Sequence, residues 1–169
     1  MTLHLIKVAV GCDSVADLRN WQKQRLADLR ASGQRRPKLQ HITRFTPKQA
    51  DEILDGGSLY WIIRHQVLCR QRIKAIEPVV DEEGDAACAL VIDPKVVEVL
   101  PQSRRPHQGW RYFAASDAPP DLAERARAEL GAMPPALIAE LRTLGLPARI
   151  EAGRERHAGD HGATTNPCA

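Results

Sequence analysis

A run of basic residues that contains no acid spans residues 64–76, RHQVLCRQRIKAI. Side chains alternate between the two faces of a β-strand, so a strand here would place Arg70, Arg72 and Lys74 together on one face. Guanidinium groups bind phosphates bidentately, and counterion release favours each phosphate contact, so such a row could bind a polyanion. The competing interpretation is an exposed sheet face that its cations keep soluble and protect from edge pairing.

Further arginines and five of the seven aromatic residues fall into two short segments, SLYWIIR and RRPHQGWRYF. Aromatic side chains beside cations favour stacking on nucleic-acid bases, whereas core packing is the competing interpretation for each of them. Trp110 is the candidate for a base-stacking residue because loop-forming and polar residues surround it. The predicted nucleic-acid-binding residues are Arg64, Arg70, Arg72, Lys74, Arg104, Arg105, Trp110 and Arg111.

The charge of the chain is mild and unevenly distributed. The formal net charge is +3, and residues 1–113 hold 18 of the 24 basic residues and 13 of the 21 acidic ones. Charge alone therefore does not define a nucleic-acid-binding protein, although a local basic patch is compatible with one.

The sequence carries none of the common signatures of a catalytic, cofactor or metal site. Four cysteines lie far apart, with no CxxC pair and no zinc-type Cys/His spacing, which indicates reduced thiols in a cytoplasmic protein. Cys12 lies in GCDS at a helix start, yet lacks the following arginine of a phosphatase-like loop, so packing is the favoured role. His157 and His161 are only a weak metal signal. We therefore predict no catalytic residue, no cofactor and no metal.

The N-terminus is not expected to be a signal peptide, because Lys7 interrupts its apolar run and no small-residue cleavage site follows. No window approaches the roughly 20 apolar residues of a membrane span. A soluble, cytoplasmic protein is the expectation from these observations.

Periodicity and turn signals predict an α+β domain over residues 1–145. Helices are predicted at 15–31, 47–55, 121–130 and 135–145, the last two forming a C-terminal helical pair within 119–145. Strands are predicted at 3–10, 39–45, 58–64, 67–79, 87–94, 95–101 and 110–113, with a tight turn at His65-Gln66 and antiparallel pairing between close neighbours. Residues 146–169 lack apolar periodicity and are predicted to form a disordered, dispensable tail.

The run HITRFTPKQADEILDGGSLYWIIRHQVLCRQRIKAI resembles the opening of the PUA-like superfamily, especially ASCH domains. Through GCDSVADL, DGGSLYW, CRQRI and RPHQGWRY the whole chain also resembles a bacterial family catalogued as domain of unknown function 1489. The superfamily resemblance implies a PUA/ASCH-like mixed β pseudo-barrel over about residues 39–113, with helices at its side. It also implies binding of RNA or a modified nucleotide.

One departure from the ASCH pattern bears on catalysis. ASCH relatives that hydrolyse acetylated cytidine carry a lysine and a threonine after the glycine that ends the short helix, whereas this chain has Gly57, Ser58 and Leu59. A desolvated amine is what a lysine general base requires, so the hydrolase interpretation has lost its obvious proton acceptor.

Three functional interpretations stay open at this point. The favoured one is a non-catalytic module that binds RNA or another nucleic acid, with a modified nucleotide as one candidate ligand. The second is a nucleoside-type amidohydrolase that uses Glu77, His107 or Lys48 as the base and Arg64 to hold the substrate. The third is a protein-interaction module whose C-terminal helices bind a partner. Because the basic row faces away from the core, charge reversal of Arg70 and Arg72 is expected to leave the fold intact.

Overall fold

The structure of the protein, a computed structural model, describes residues 1–132. Its ten elements are, in chain order, β1 (Leu3–Val8), α1 (Val15–Ala31), β2 (Leu39–Thr43), α2 (Ala50–Leu54), β3 (Ser58–Ile63), β4 (Gln66–Val80), β5 (Ala86–Ile92), β6 (Val97–Ser103), β7 (Trp110–Ala114) and α3 (Leu122–Ala132). The predicted α+β class is confirmed. The predicted second helix of the C-terminal pair and the tail at 146–169 lie outside the described residues.

The strands form one seven-stranded mixed sheet in the order β2-β5-β4-β3-β1-β7, and β6 pairs with β4. The 15-residue strand β4 joins two halves, because its first part pairs with β3 and β6 and its second part pairs with β5. The pairing of β1 with β3 is parallel, and all other pairs are antiparallel. Strand β1 thus lies inside the sheet, between β3 and β7, although it precedes the segment 39–113 that sequence resemblance singled out.

Local sequence signals explain how the two helices beside the sheet begin and end. Ser14 is the N-cap of α1 and accepts a hydrogen bond from the backbone N–H of Asp17, as the capping pattern predicted. The chain leaves α2 through Gly57, where an added Cβ would lie 2.3 Å from the carbonyl oxygens of Ile53 and Leu3. Only glycine fits this crossing, so the entry into β3 is fixed by one residue.

The sheet separates two apolar clusters, and all six residues of β3 are buried because both of its faces are covered. The larger cluster contains Leu5, Leu18, Ile53 and Trp61 and includes contributions from α1, α2 and β2. The smaller cluster contains Tyr60 and five other residues, which are Ile6, Ile62, Val67, Val99 and Phe113. Trp61 and Tyr60 therefore belong to different cores, as strand alternation requires.

A buried amide network ties α1 to the centre of the sheet. Gln22 and Gln71 donate hydrogen bonds to each other at 2.9 and 2.8 Å, and the indole N–H of Trp61 donates to Oε1 of Gln71 at 2.9 Å. Gln71 also donates to the carbonyl oxygen of Asp93. Each polar group that is taken from water here has a partner, so the network orients α1 without leaving an unpaired amide.

Within residues 1–132 no helix has both the length and the apolar character that crossing a membrane requires.

Candidate nucleic-acid interface

The alternation predicted for β4 is present in the structure. Val67, Cys69, Gln71 and Ile73 are buried, whereas Arg72 and Lys74 are exposed and Arg70 is half-buried. The apolar residues of this strand carry the period of two, and the basic residues occupy the positions between them. The strand register inferred from the sequence is therefore the register of the fold.

Acids from distant segments accompany two of the three basic residues on this face. Arg70 donates from Nε and Nη2 to the two carboxylate oxygens of Asp121, both at 2.6 Å, and from Nη1 to Oγ of Ser58 at 3.0 Å. The Lys74 ammonium lies 2.9 Å from the carboxylate of Asp93. Arg72 is the member of the row for which the described residues provide no ion pair. The sequence around these basic residues contains no acid, but the fold brings acidic residues from other segments next to Arg70 and Lys74.

Arg70 lies in a polar cluster rather than on an open surface. Its hydrogen bond with Asp121 raises the pKa of the Arg70 guanidinium. The buried backbone N–H of Ser58 donates to Nδ1 of His4 at 3.1 Å, and burial, with Arg70 nearby, lowers the pKa of His4. His4 therefore stays neutral at pH 7 and acts as an acceptor here. These partners give Arg70 a structural role before any phosphate is considered.

Four of the predicted arginines converge elsewhere, in what we call the arginine groove: Arg64, Arg104, Arg105 and Arg111. They line two adjoining open depressions of about 410 and 390 Å³ that share Ser103, Arg104 and Arg105. Arg64 and His65 border one depression, and His107, Arg111 and Phe113 border the other. The three segments that supply the arginines are the β3–β4 turn, the end of β6 with the loop after it, and β7.

Hydrogen bonds and one ring contact hold the arginine groove together. The backbone N–H of Arg104 donates to the carbonyl oxygen of His65 at 2.8 Å, which joins the β6 end to the β3–β4 turn. The Arg104 guanidinium lies 5.0 Å from the ring centre of Phe113, a cation–π distance. Nε2 of His107 lies 3.2 Å from the carbonyl oxygen of Ile6. The loop that carries the arginines is thereby fixed to β1, β7 and the turn.

Little negative charge offsets the arginine groove. Arg64 pairs with Asp13 at 3.2 Å, and the two side chains are 71% and 75% exposed, so water screens this pair and a phosphate could replace the carboxylate. For Arg104, Arg105 and Arg111 the described residues provide no ion pair. All four arginines are exposed, which leaves their donors available to a ligand.

The β3–β4 turn adopts an uncommon backbone conformation. Its two central residues are Arg64 and His65, one position before the turn predicted from the sequence, and their φ angles are +47° and +64°. Two-residue hairpin turns with positive φ at both centres favour Asn-Gly, whereas bulky residues adopt this conformation at a cost. The turn therefore holds the side chains of Arg64 and His65 at the groove, where smaller residues would be more stable.

Trp110 lies outside the arginine groove. It is half-buried against the larger core, its ring stands edge-on to Tyr112 at 5.2 Å, and its indole N–H donates to the carbonyl oxygen of Phe45 at 3.1 Å. The Tyr112 hydroxyl accepts hydrogen bonds from the backbone N–H groups of Lys48 and Gln49. The structure thus separates Trp110 from the arginines with which it was grouped, because β7 alternation sends Trp110 and Arg111 to opposite faces.

The residues proposed as catalytic bases are dispersed. Glu77 accepts from Lys38 at 2.7 Å and Gln40 at 3.4 Å on the exposed side of β4, away from the arginine groove. His107 lies in the groove, beside Arg111.

The acidic β4–β5 turn brings carboxylate oxygens of Asp81, Glu83 and Asp85 within 4.8 Å of one another, on an exposed hairpin tip.

Sequence reasoning missed Lys7 and His41. Both side chains line a small pocket with Trp21 and Trp61, at the end of β1. Burial lowers the pKa of Lys7, and burial with Lys7 nearby lowers the pKa of His41 to about 4. The available signal was a lysine on the strand face whose other members are Leu3 and Leu5, and it was used only to exclude a signal peptide.

The fold and the groove define a small α+β protein with a mixed sheet and a basic surface depression. The family described as protein of unknown function (DUF1489) matches residues 5–147, so the chain belongs to that family. Among solved structures, the chain is similar to a mutant of the ASCH protein ZmASCH from Zymomonas mobilis, with 12% identity, 68% of this chain and 90% of that chain covered, and a TM-score of 0.39. A TM-score this low does not extend the likeness to a binding site or an activity. The comparison with curated proteins finds no match.

Proposed function

We propose that the protein binds single-stranded nucleic acid, with RNA as the favoured ligand, through the arginine groove. The observation that carries this proposal is the convergence of Arg64, Arg104, Arg105 and Arg111 from three separate segments. Among the described residues, the exposed Asp13 is the one acid that forms an ion pair with any of these four arginines. Arg104, whose backbone N–H and guanidinium are both held, presents planar donors to phosphate oxygens at low entropic cost. Cytoplasmic residence is part of the same proposal.

The shape of the groove favours a single strand over a duplex. Its two depressions are open and adjoin each other, so an extended backbone can cross both, whereas the described fold offers the groove no protruding helix for the major groove of DNA. A single strand also leaves its bases free for a neighbouring pocket. This proposal revises the sequence-based site: Arg64, Arg104, Arg105 and Arg111 form it, Arg72 is an exposed cation outside the groove, and Arg70, Lys74 and Trp110 contact other residues of the chain.

The catalytic alternative has less support within residues 1–132. Glu77 is engaged by Lys38 and lies away from the groove, and His107 contacts a backbone carbonyl oxygen rather than an orienting carboxylate. A general base needs a position within reach of a bound substrate and a partner that orients it. The interaction alternative relies on the C-terminal helices, of which α3 alone is described.

The test is a binding measurement with a fluorescent 12-nucleotide single-stranded RNA at low salt. The double variant Arg104→Gln/Arg105→Gln removes two groove cations and is expected to weaken binding roughly tenfold or more, because each charge-assisted phosphate contact is lost. Lys23→Gln/Arg30→Gln is the matched control, since it removes two exposed cations of α1 and should change the affinity by less than about twofold. Equal losses in both variants would show that net charge, not the groove, attracts the RNA.

A further inference from the structure

A second candidate site lies at the C-terminal end of β1, on the sheet face opposite the smaller core. Lys7, Trp21, His41 and Trp61 border a pocket whose free volume is about 20 Å³. A space of this size admits one water-sized group, such as a single oxygen atom, and not a whole ring. A ligand could therefore insert a substituent here while its ring rests on the pocket rim.

Lys7 stands in this pocket without an anionic partner. Its register partners across the sheet are Trp61 on β3 and Trp110 on β7, so its side chain lies between two indoles. Of the described residues, none provides a carboxylate within 4.0 Å of the Lys7 ammonium, and none forms a hydrogen bond with it. A half-buried cation is normally paired, because its desolvation must be offset. The unpaired Lys7 points to an acceptor supplied from outside residues 1–132, such as a bound ligand.

His41 adds a second unsatisfied group to the same pocket. Its Nε2 atom is buried and has no hydrogen-bond partner, and its ring stands edge-on to Trp61 at 5.6 Å. With a pKa of about 4, the imidazole is neutral at pH 7, so Nε2 can donate or accept according to its tautomer. Two unfulfilled polar groups that face one cavity are rare in a stable core and are typical of a ligand site.

The pocket and the arginine groove lie on opposite faces of the sheet, and both adjoin the end of the sheet where β1 and β3 terminate. Ala9 and Val10 line the pocket, and the backbone N–H of Ala9 donates to the carbonyl oxygen of Ile62, two residues before Arg64. Three residues after Val10, the Asp13 carboxylate contacts Arg64. A single strand that passes around this end of the sheet could therefore place a phosphate on the groove and a base at the pocket.

We propose that Lys7 and His41 bind the oxo oxygen of a nucleobase of the uracil type, with Lys7 donating to the oxygen and the half-buried indole of Trp21 contacting the ring. Adenine carries no oxo oxygen, so the pocket discriminates against it. This inference rests on the proposed function, because it assigns the base-reading part of the same interface.

The experiment follows the intrinsic fluorescence of the protein, whose three tryptophans all lie at or beside the pocket. Uridine and adenosine, neither of which carries a phosphate, are titrated separately into wild-type protein, Lys7→Met and Lys95→Met. Wild type and the exposed-lysine control Lys95→Met should bind uridine at least about tenfold more tightly than adenosine. Lys7→Met keeps the length of the side chain but not its charge, and should lose that preference.

A second measurement on wild-type protein avoids any question of folding in the variant. Uridine should slow the acylation of Lys7 by an amine-reactive reagent, read by peptide mass mapping, whereas adenosine should not. Equal fluorescence responses to the two nucleosides, a preference retained in Lys7→Met, or no protection of Lys7 would each overturn the inference. Because nucleosides do not engage the arginine groove, uridine binding with no RNA binding would overturn the groove alone, and RNA binding with no uridine preference would overturn the pocket alone.

Discussion

The ion pair between Arg70 and Asp121 is expected to stabilise the fold by attaching the start of α3 to the sheet. Asp121 directly precedes α3, forms an isolated β-bridge with Val99, and accepts two hydrogen bonds of 2.6 Å from Arg70. Substitution of Arg70 by Met would leave the carboxylate of Asp121 without its partner. This pairing changes the sequence-based expectation that reversal of Arg70 leaves the fold intact.

The expected magnitude follows from the burial of the two side chains. They are 26% and 13% exposed, so the pair lies between an exposed pair, which contributes up to about 1 kcal/mol, and a buried pair, whose breakage costs about 3–5 kcal/mol. We expect Arg70→Met to lower the free energy of unfolding by about 2–3 kcal/mol, and Arg70→Glu by more, since it adds a like charge. For a protein of this size, that loss lowers Tm by about 5–10 °C.

The assay is urea unfolding of wild type, Arg70→Met, Asp121→Asn and the double variant, which together form a double-mutant cycle. The sum of the stability losses in the two single variants should exceed the loss in the double variant by at least about 1 kcal/mol. The reason is that, in the double variant, the second substitution removes a group that is already unpaired. Arg72→Met is the matched control: Arg72 is exposed two positions along the same face and should change stability by less than about 0.5 kcal/mol. An Arg70→Met variant as stable as Arg72→Met would refute the reasoning.

Three further outcomes are expected. His41 is protonated near its ordinary pKa of 6.5 in the unfolded chain but only near 4 in the folded chain. The free energy of unfolding should therefore fall as pH drops from 7 to 4.5, by about 2 kcal/mol more in wild type than in His41→Phe. Urea unfolding at both pH values checks this, and equal losses in the two proteins would contradict it. Cys69 and Cys88 are fully buried, and burial raises the pKa of Cys69 to about 12. Peptide mapping should therefore find both thiols unalkylated by iodoacetamide until denaturant is added. Rapid labelling of either thiol in the native protein would contradict their burial. Replacing Arg64-His65 by Asn-Gly should raise stability by about 1 kcal/mol in thermal unfolding while weakening RNA binding, because the turn conformation suits Asn-Gly; a destabilised variant would argue against strain at this turn.

Much of the fold could be predicted because its signals are local. The period of two in β4 follows from the alternation of Val67, Cys69 and Ile73 with basic residues, and the start of α1 follows from Ser14 and Asp17. The parallel pairing of β1 with β3 was not predicted, because it joins segments about 50 residues apart and leaves no turn signal in the sequence. The turn was placed one residue late, since Arg64 and His65 are not residues that favour positive φ.

The site was harder to predict because it depends on distant contacts. Asp121 neutralises Arg70 from 51 residues away, and Asp93 pairs with Lys74 across the sheet, so an acid-free stretch of sequence did not mean an unpaired surface. The loop-forming and polar residues beside Trp110 favoured a ligand-facing position, whereas its alternation on β7 turns it toward the core. Lys7 and His41 meet through strand pairing and packing, and neither forms a recognisable spacing in the sequence.

The salt dependence of RNA binding tests the arginine groove most directly. Log affinity is measured against log salt for wild type, Arg104→Gln/Arg105→Gln and the α1 control Lys23→Gln/Arg30→Gln, with thermal unfolding to verify that all three fold. Each lost contact with a single-strand phosphate flattens the slope by about 0.7, so the groove variant should be flatter than wild type by about 1.4 while the control keeps the wild-type slope. A groove variant with the wild-type slope, or wild-type protein that binds no RNA at low salt, would contradict the assignment of the groove as a phosphate-binding surface.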